Sequence, residues 1–305
     1  MRVFAILLIV LAAAAAASSR PVHQKDFASP DAAVQALIKT LRSGDKHAVL
    51  EVLGPQAEPA IDSGDPVQDA DARDRFLQSY AVAHALHNAV EGRSTLEVGA
   101  DQWPFPFPLV RRAERWIFDS AAGTEEIVNR RVGKNELSTI QSCLAAVDAE
   151  REYYARNPQN DPLLQFAQKL ISTAGKKDGL YWPTTGDEPP SPLGKGFARA
   201  LGEGYFQSTT PSAEPFHGYM YRVLTKQGVH ANGGAYDYLV GDKMPGGFAL
   251  LAFPGEYSST GVLTFIVNHD GVVFSKDLGP QTPKTAMAIE AFDPDPSWKR
   301  EAAIE

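Results

Sequence analysis

The stretch NELSTIQSCLAAVDAEREYYAR, at residues 135–156, decides the predicted fold of the second half of the chain. Apolar residues recur in it at every third or fourth position, which places them on one face of a helix: Leu137, Ile140, Leu144, Val147 and Tyr154. Asn157-Pro158 stops the pattern, because a residue that precedes proline is disfavoured in the α conformation. The stretch therefore predicts one long amphipathic helix.

Strands follow in the last third of the chain and provide a surface that this helix can cover. Residues 219–224, 247–253 and 262–267 are rich in β-branched and aromatic side chains, as strands are. The sequence NHDG at 268–271 then precedes another apolar run, VVF. Because Asp-Gly tolerates the positive φ of a tight turn, this junction predicts a β-hairpin.

Less regular segments surround these strands. Residues 163–170 predict a second helix, and the proline-rich segment 179–196 predicts a long irregular loop. Residues 197–206 predict a short helix, and Asp293-Pro294 indicates the start of a last one.

The N-terminal third predicts helices first and strands afterwards. Ser29 and Pro30 begin a helix, because Ser caps helices and Pro fits the first turn. Residues 46–53 and 73–88 predict two more helices, the last of which includes His84. The apolar period then changes to two, which is typical of strands, at residues 94–99, 105–109 and 116–118. The predicted class is α+β: N-terminal helices packed on a small antiparallel sheet, then a long amphipathic helix packed on a C-terminal antiparallel sheet.

Composition excludes several classes of function. The chain has 305 residues, 44% of them hydrophobic and 22% charged, which is ordinary for a globular protein. A net charge of -8 argues against nucleic acid as a partner, since phosphate binding needs a concentrated basic face. The single cysteine excludes an internal disulfide framework and a multi-thiolate metal cluster. No cofactor is expected.

The first 17 residues predict a secretory signal peptide. Arg2 precedes an uninterrupted apolar run that ends in alanines, and Ala15-x-Ala17 fits the cleavage pattern. We therefore expect an exported protein of the periplasm or the extracellular space, without stable membrane insertion after cleavage. Retention of the segment as a membrane anchor is the alternative.

Three motifs carry a resemblance to a known family. They are WPFPFP at 103–108, DGLYWP at 178–183, and TFIVN at 264–268 followed by DGVV at 270–273. Together they resemble an exported bacterial family known as domain-of-unknown-function family 2950. The resemblance covers nearly the whole mature chain and implies no activity.

Two further resemblances concern the fold of each part. Residues 27–131 are similar in order to the cystatin-like α+β proteins around nuclear transport factor 2, in which helices cover a curved sheet. Residues 135–285 resemble the globular part of type IV pilins and pseudopilins, with residues 286–305 as a C-terminal helix and tail. A pilin spine begins with an apolar half, whereas here a folded domain stands in its place. A minor pilin would also have to retain the N-terminal apolar segment.

Candidate binding residues come from both parts. A cystatin-like fold implies a cavity between helices and sheet, and such a cavity would be lined by Phe76, Tyr80, His84, Trp103 and Trp116. In the second part, Tyr181 and Trp182 stand beside a proline-rich loop, where large rings anchor a partner or simply pin the loop to the core. His217, beside Tyr219 and Tyr221, is a candidate for a polar aromatic site together with His269; the alternative is that these histidines hydrogen-bond to loops.

The sequence gives little indication of a metal site or of a catalytic nucleophile. His84 and His87 stand at helical spacing, but no third zinc ligand accompanies them. Asn157, Gln159 and Asp161 alternate as calcium ligands do, yet the turn glycine and the final glutamate are missing, so a capped turn is favoured. Cys143 lies among apolar helix residues, where a free cysteine is usually part of the core.

The sequence therefore favours a non-catalytic exported protein of the cell envelope that acts through protein–protein or surface interactions with an unidentified envelope partner. It contains no linear catalytic motif of the hydrolase, phosphate-loop or zinc-protease type. The alternative is a periplasmic protein that binds a small ligand, or a hydrolase or isomerase, with the pocket in the N-terminal domain.

Overall fold

The computed structural model of the chain describes residues 22–61, 66–186, 188–194 and 218–302. The predicted signal segment, the predicted helix at 197–206 and His217 lie outside the described residues. The chain forms two compact units, Met1–Ile127 and Val128–Glu305. The boundary between them falls inside one continuous helix, a few residues before the predicted one, and the tail expected as a separate segment belongs to the second unit.

Helices come first in the described part of the N-terminal unit: α1 (Pro30–Ser43), α2 (Lys46–Leu53), a 3₁₀ turn (Pro55–Ala57), α3 (Glu58–Ile61) and α4 (Pro66–Val82). Ser29 caps α1 as predicted, since its hydroxyl oxygen accepts a hydrogen bond from the Ala32 amide at 3.2 Å. Gly44, at φ +69°, ends α1 in the left-handed conformation.

The first sheet is antiparallel and small. Its strands are β1 (His84–Val90), β2 (Arg93–Val98), β3 (Trp103–Pro104), β4 (Leu109–Arg112) and β5 (Arg115–Phe118). The order is β1-β2-β4-β5, with β3 paired to β2. The prediction that the third helix continues to residue 88 is wrong, because α4 ends at Val82 and the chain turns back to pair Leu86 with Leu96. That pairing buries Leu96 at 1% exposure, which a longer helix would not do.

The C-terminal unit combines one long helix with a five-stranded antiparallel sheet. Helix α5 (Ser120–Arg156) starts earlier than the predicted stretch. The strands are β6 (Tyr219–Leu224), β7 (Lys226–Gln227), β8 (Tyr236–Asp237), β9 (Ala249–Pro254), β10 (Leu263–Asn268), β11 (Val273–Asp277) and β12 (Lys299–Arg300). The large sheet has the order β12-β11-β10-β9-β6, and β7 pairs with β8. The predicted α+β class is confirmed.

The buried face of α5 carries Ile140, Cys143 and Val147 in the core with the sheet, whereas Leu137 is 58% exposed. The predicted hairpin is confirmed: β10 and β11 pair from Val267–Val273 outward, and Gly271 takes φ +76° in the turn. Among the residues that the structure describes, none of the helices combines the length and apolar character needed to cross a bilayer.

Two helices expected from the sequence are absent from the described residues. Residues 163–170 are irregular, because the Phe166 amide donates to the Met244 carbonyl and the Ala167 amide to the Glu150 carboxylate. No helix follows Asp293; the last helix is Thr282–Met287, and the tail instead adds β12 to the edge of the sheet.

Candidate functional site

The residues predicted to line an N-terminal cavity form ring pairs in the structure. Tyr80 and His84 stack at 3.9 Å between centroids, and His84 Nδ1 lies 3.0 Å from the Tyr80 carbonyl oxygen. Trp103 is 45% exposed on β3. Trp116 packs partly buried against the N-terminal core and exchanges backbone hydrogen bonds with Phe27. These contacts show that Tyr80, His84 and Trp116 pack within the N-terminal unit.

His84 and His87 do not share a helix face. Both lie on β1, where residues three apart point to opposite sides of the sheet. Within the described residues there is no group of three His, Cys, Asp or Glu side chains placed to hold a metal ion. The prediction that His84 and His87 lie on one face of a helix is therefore wrong.

Trp182 is a core residue in the structure, at 6% exposure, with its ring edge-on to Tyr153 at 6.4 Å. Tyr181 is half-buried, and its amide donates to the Leu170 carbonyl at 2.9 Å. Both rings hold the proline-rich segment against the C-terminal core, which is the placement of an anchor for the loop.

The Asn157, Gln159 and Asp161 oxygens are not arranged around a cation. Asn157 Oδ1 accepts from the Asp161 amide at 3.0 Å, and Asp161 pairs with the Lys243 ammonium. The Gln159 amide donates to the Tyr153 hydroxyl. Cys143 is fully buried, and burial raises the pKa of its thiol to about 12, so it is inert as a nucleophile at neutral pH.

A cleft in the C-terminal unit, which we call the His230 cleft, was not predicted from the sequence. Its volume is about 540 Å³, within the range of small-molecule sites. It is lined by His230, Ala231, Asn232, Asn268, Asp270, Val272, Phe274, Phe292, Pro294 and Arg300. Polar and apolar side chains therefore share one concave surface.

The floor of the His230 cleft is one face of the large sheet. Phe274 on β11 pairs with Ile266 on β10 and with Arg300 on β12. Directly paired residues share a face, and residues two apart on a strand do too. Asn268, two residues after Ile266, therefore projects from the same face as Phe274 and Arg300.

One wall of the cleft is the turn that carries His230. Asp293 Oδ1 accepts two hydrogen bonds from His230, one from the backbone amide at 2.8 Å and one at the ring Nδ1 at 3.0 Å. The pair is possible because residue 228 is glycine: a Cβ there would lie 2.2 Å from the Asp293 Cγ. With Nδ1 held by the carboxylate, Nε2 is the ring nitrogen left for a ligand.

A buried network supports this wall from behind. Gln227, at 3% exposure, donates to the carbonyl oxygens of Asn232 and Gly234, both at 2.7 Å. Its Oε1 accepts from the Tyr238 hydroxyl at 2.9 Å. The loop over the cleft is thereby fixed by side chains that are themselves in the core, which makes the cleft preformed.

The inner end of the cleft has an unused hydrogen-bond donor. Asn268 is 1% exposed; its Oδ1 accepts from the Asp270 amide, but its Nδ2 has no hydrogen-bond partner. Burial raises the pKa of the nearby Tyr238 phenol, and a weak contact with the Asn268 amide, which falls short of hydrogen-bond geometry, lowers it in part. A buried amide nitrogen without a partner is costly, so a ligand acceptor at this point would be favourable.

Comparison with protein families gives a match over residues 24–301, to the family described as protein of unknown function (DUF2950). The chain belongs to this family. No curated protein and no solved structure gives a significant match to it.

Within this DUF2950 chain, a second and smaller cavity of about 200 Å³ lies near the end of α5, with Tyr153, Lys169, Asp178 and Lys243 in its lining. Asp178 accepts hydrogen bonds from the Lys169 ammonium and from the Thr173 amide and hydroxyl. Burial raises the pKa of Asp178, but these donors outweigh it and bring the pKa down to about 2. All the carboxylate's partners are internal, so this cavity is a structural feature.

Few features of the sequence predict the His230 cleft of the DUF2950 chain. The NHDG sequence predicts a hairpin, but it does not predict that the Asn268 side chain is buried. His230 and Asp293 are 63 residues apart, and no local spacing connects them. The glycine at 228, two residues before His230, is the one available cue, and glycine is common in turns.

Proposed function

We propose that this protein is a non-catalytic, exported protein of the cell envelope that acts by binding, and that the His230 cleft is its binding site. The observation that carries the proposal is the Asn268 amide nitrogen, which is buried without a partner at the inner end of a preformed cleft. Buried polar groups in proteins are normally satisfied, so an unsatisfied donor on a residue that lines an open cleft indicates a place for a ligand acceptor.

The charges around the cleft fit a binding role. The Arg300 guanidinium is exposed and, among the described residues, makes no hydrogen bond or ion pair. Phe274 and Phe292 meet edge-on at 6.0 Å beside it and offer an apolar surface. A guanidinium next to aromatic rings can bind a charged and an apolar part of one ligand at the same time.

Export and the finer fold likenesses belong to the same proposal. The apolar segment at residues 1–17 supports secretion, and the order of helices and strands in each unit supports the nuclear transport factor 2-like and pilin-like resemblances. If the segment is cleaved as proposed, the intact mass of the secreted chain will correspond to a start at Ser18. A mass that includes residues 1–17 would favour a retained anchor.

The test of binding is native mass spectrometry of the secreted chain after incubation with bacterial envelope extract. We expect a bound species on the wild type and on Lys299→Glu, but not on Arg300→Glu. Lys299 is the matched control, since it is exposed on the same strand and adjacent strand residues point to opposite faces. Equal retention by all three proteins, or no bound species at all, would contradict the proposal.

The Asp293–His230 pair favours a second candidate function, hydrolysis of a small ligand. A histidine with Nδ1 on a carboxylate and Nε2 free is arranged as a general base. Among the described residues that line the cleft there is no Ser, Thr or Cys, so the base would have to activate water. Consumption of a compound from the extract by the wild type but not by His230→Gln would establish this function instead.

A further inference from the structure

The His230 cleft presents a cation and an anion across an apolar floor. Arg300 stands on β12 and Asp270 in the β10–β11 turn, and both line the cleft. Within the described residues they form no ion pair with each other. The Asp270 carboxylate lies 3.9 Å from the His269 ring instead. Two opposite charges held apart on one concave surface are complementary to a ligand that carries both.

The hydrogen-bond donors of the cleft lie on one face of the large sheet, with Asn268 next to the Asp270 backbone amide and Arg300 two strands away. Asn268 Nδ2 is the unpartnered buried donor, and the guanidinium of Arg300 supplies further donors on the same sheet face. A carboxylate accepts from both types of donor, and it matches the planar fork of arginine.

The remaining charges disfavour a strongly anionic ligand. Asp270 lines the cleft, and Asp293, which is not part of the described lining, is the hydrogen-bond acceptor for His230. A phosphate dianion would face the Asp270 carboxylate, with Arg300 as the one Lys or Arg side chain in the described lining, and like charges in proximity are unfavourable. A ligand without net charge avoids this repulsion.

We propose that the ligand of the His230 cleft is an amphipathic zwitterion, a free apolar amino acid or a short peptide. Its carboxylate binds Arg300, and its ammonium binds Asp270. An oxygen of its carboxylate or peptide group accepts from the Asn268 amide, and its apolar side chain covers Phe274 and Phe292. This inference rests on the proposed function, because it names the ligand class for the same cleft.

The test uses ligand-observed NMR titration of the full secreted chain with phenylalanine and with the dipeptides Gly-Phe and Phe-Gly. Phenylalaninamide lacks the carboxylate, and N-acetylphenylalanine lacks the ammonium. We expect phenylalanine or a dipeptide to bind, and each blocked compound to bind about tenfold more weakly, as expected for loss of a charged hydrogen bond. Tighter binding of the dipeptides than of phenylalanine would identify peptides as the source.

Variants assign each charge to its group. Arg300→Gln should weaken phenylalanine about tenfold and leave phenylalaninamide unchanged, whereas Asp270→Asn should weaken phenylalanine and leave N-acetylphenylalanine unchanged. Lys299→Gln, on the opposite face of β12, should change none of them. These variants alter exposed side chains, so folding is retained.

Two results would overturn the zwitterion. One is equal binding of phenylalanine and its two blocked forms. The other is that none of these compounds binds with a Kd of about 1 mM or lower. If a species from envelope extract is still lost in Arg300→Glu, then the cleft binds and only the ligand class is wrong. If the wild type binds no species from the extract either, both the zwitterion ligand and the proposed binding function are wrong.

Discussion

The two units bury different kinds of side chain. In the described part of the N-terminal unit, the buried polar residues are Ser94 and Ser120, and the rest of the interior is aliphatic and aromatic. The C-terminal unit buries many more: Thr139, Ser142, Glu150, Gln165, Ser172, Ser191, Gln227, Thr264, Asn268, Ser275 and Thr282. One core is held by apolar packing, and the other depends on internal hydrogen bonds as well.

This difference shows where a site can form. Buried polar groups in a core are normally satisfied, so an unsatisfied one is informative mainly when it faces open space. Among the described residues five other buried side-chain atoms also lack partners, and none belongs to a residue that lines the His230 cleft: Ser94 Oγ, Trp182 Nε1, Arg222 Nε, Thr264 Oγ1 and His269 Nδ1. Asn268 does line this cleft, which is why the polar core of the second unit points to binding.

The largest effect should come from the apolar core of the first unit. Leu37 is completely buried on α1, and Leu37→Ala should lower the free energy of unfolding by about 3 kcal/mol, because it removes packed atoms and leaves a cavity. Hydrogen exchange should accelerate most in the α1 amides. The matched control is Leu137→Ala, whose side chain is 58% exposed and should cost under about 0.5 kcal/mol. Similar losses for both would contradict the contrast between core and surface.

Local features of this fold could be predicted from the sequence. Ser29 and Pro30 mark the start of α1, and Asp270-Gly271 mark the hairpin, because caps and tight turns depend on a few neighbouring residues. The apolar face of α5 was visible for the same reason, although Leu137 lies off the buried side.

Features that depend on distant partners could not be predicted. The residues around His84 favour a helix, but pairing of β1 with β2 decides its conformation. Residues 163–170 have a helical apolar pattern, yet their amides bind Met244 and Glu150 instead of each other. His230, Asp293 and Arg300 come together only in the folded chain, so no periodic pattern in the sequence predicts the cleft.

The next largest effect should come from the acid buried in the second unit. Glu150 is 3% exposed, and burial raises the pKa of its carboxyl well above the usual range, partly offset by the hydrogen bond from the Ala167 amide. The folded chain then keeps a proton that the unfolded chain releases near pH 4.5. Stability contributed by this group is therefore lost as pH rises from about 4.5 towards the folded pKa.

Glu150→Gln keeps an oxygen acceptor for Ala167 and removes the titration. We expect the variant to have a higher Tm than the wild type at pH 7, with the difference vanishing near pH 4. Glu152→Gln, which removes a carboxylate paired with Arg156 on the exposed part of the same helix, should show no such gain. A Tm difference that does not change with pH would show that Glu150 is ionised in the folded protein.

Asp178 should show the opposite pH dependence in the same unit. Its pKa of about 2 in the folded chain, against 3.8 for an ordinary aspartate, contributes about 2 kcal/mol of stability at neutral pH. That contribution is present above pH 3.8 and is lost as pH falls through about 2. Asp178→Asn should be destabilised by this amount in urea titrations at pH 7 and should match the wild type below pH 2. Asp148→Asn, at an 81% exposed carboxylate paired with Arg151, should change little at either pH.

The smallest effect on stability should come from the glycine that makes room for the Asp293–His230 pair. In Gly228→Ala the new methyl would overlap the Asp293 carboxyl, which must rotate away and release both of its hydrogen bonds from His230. The expected loss is about 1 kcal/mol, with a change in the His230 ring nitrogen signals in NMR as the Nδ1 contact disappears. Gly133→Ala is the matched control, since a Cβ there meets no atom within 4 Å and alanine should stabilise helix α5 by about 0.5–1 kcal/mol. Unchanged His230 signals in Gly228→Ala would mean that Asp293 does not orient the ring, and the wall of the cleft would then have to be explained by the Gln227 network alone.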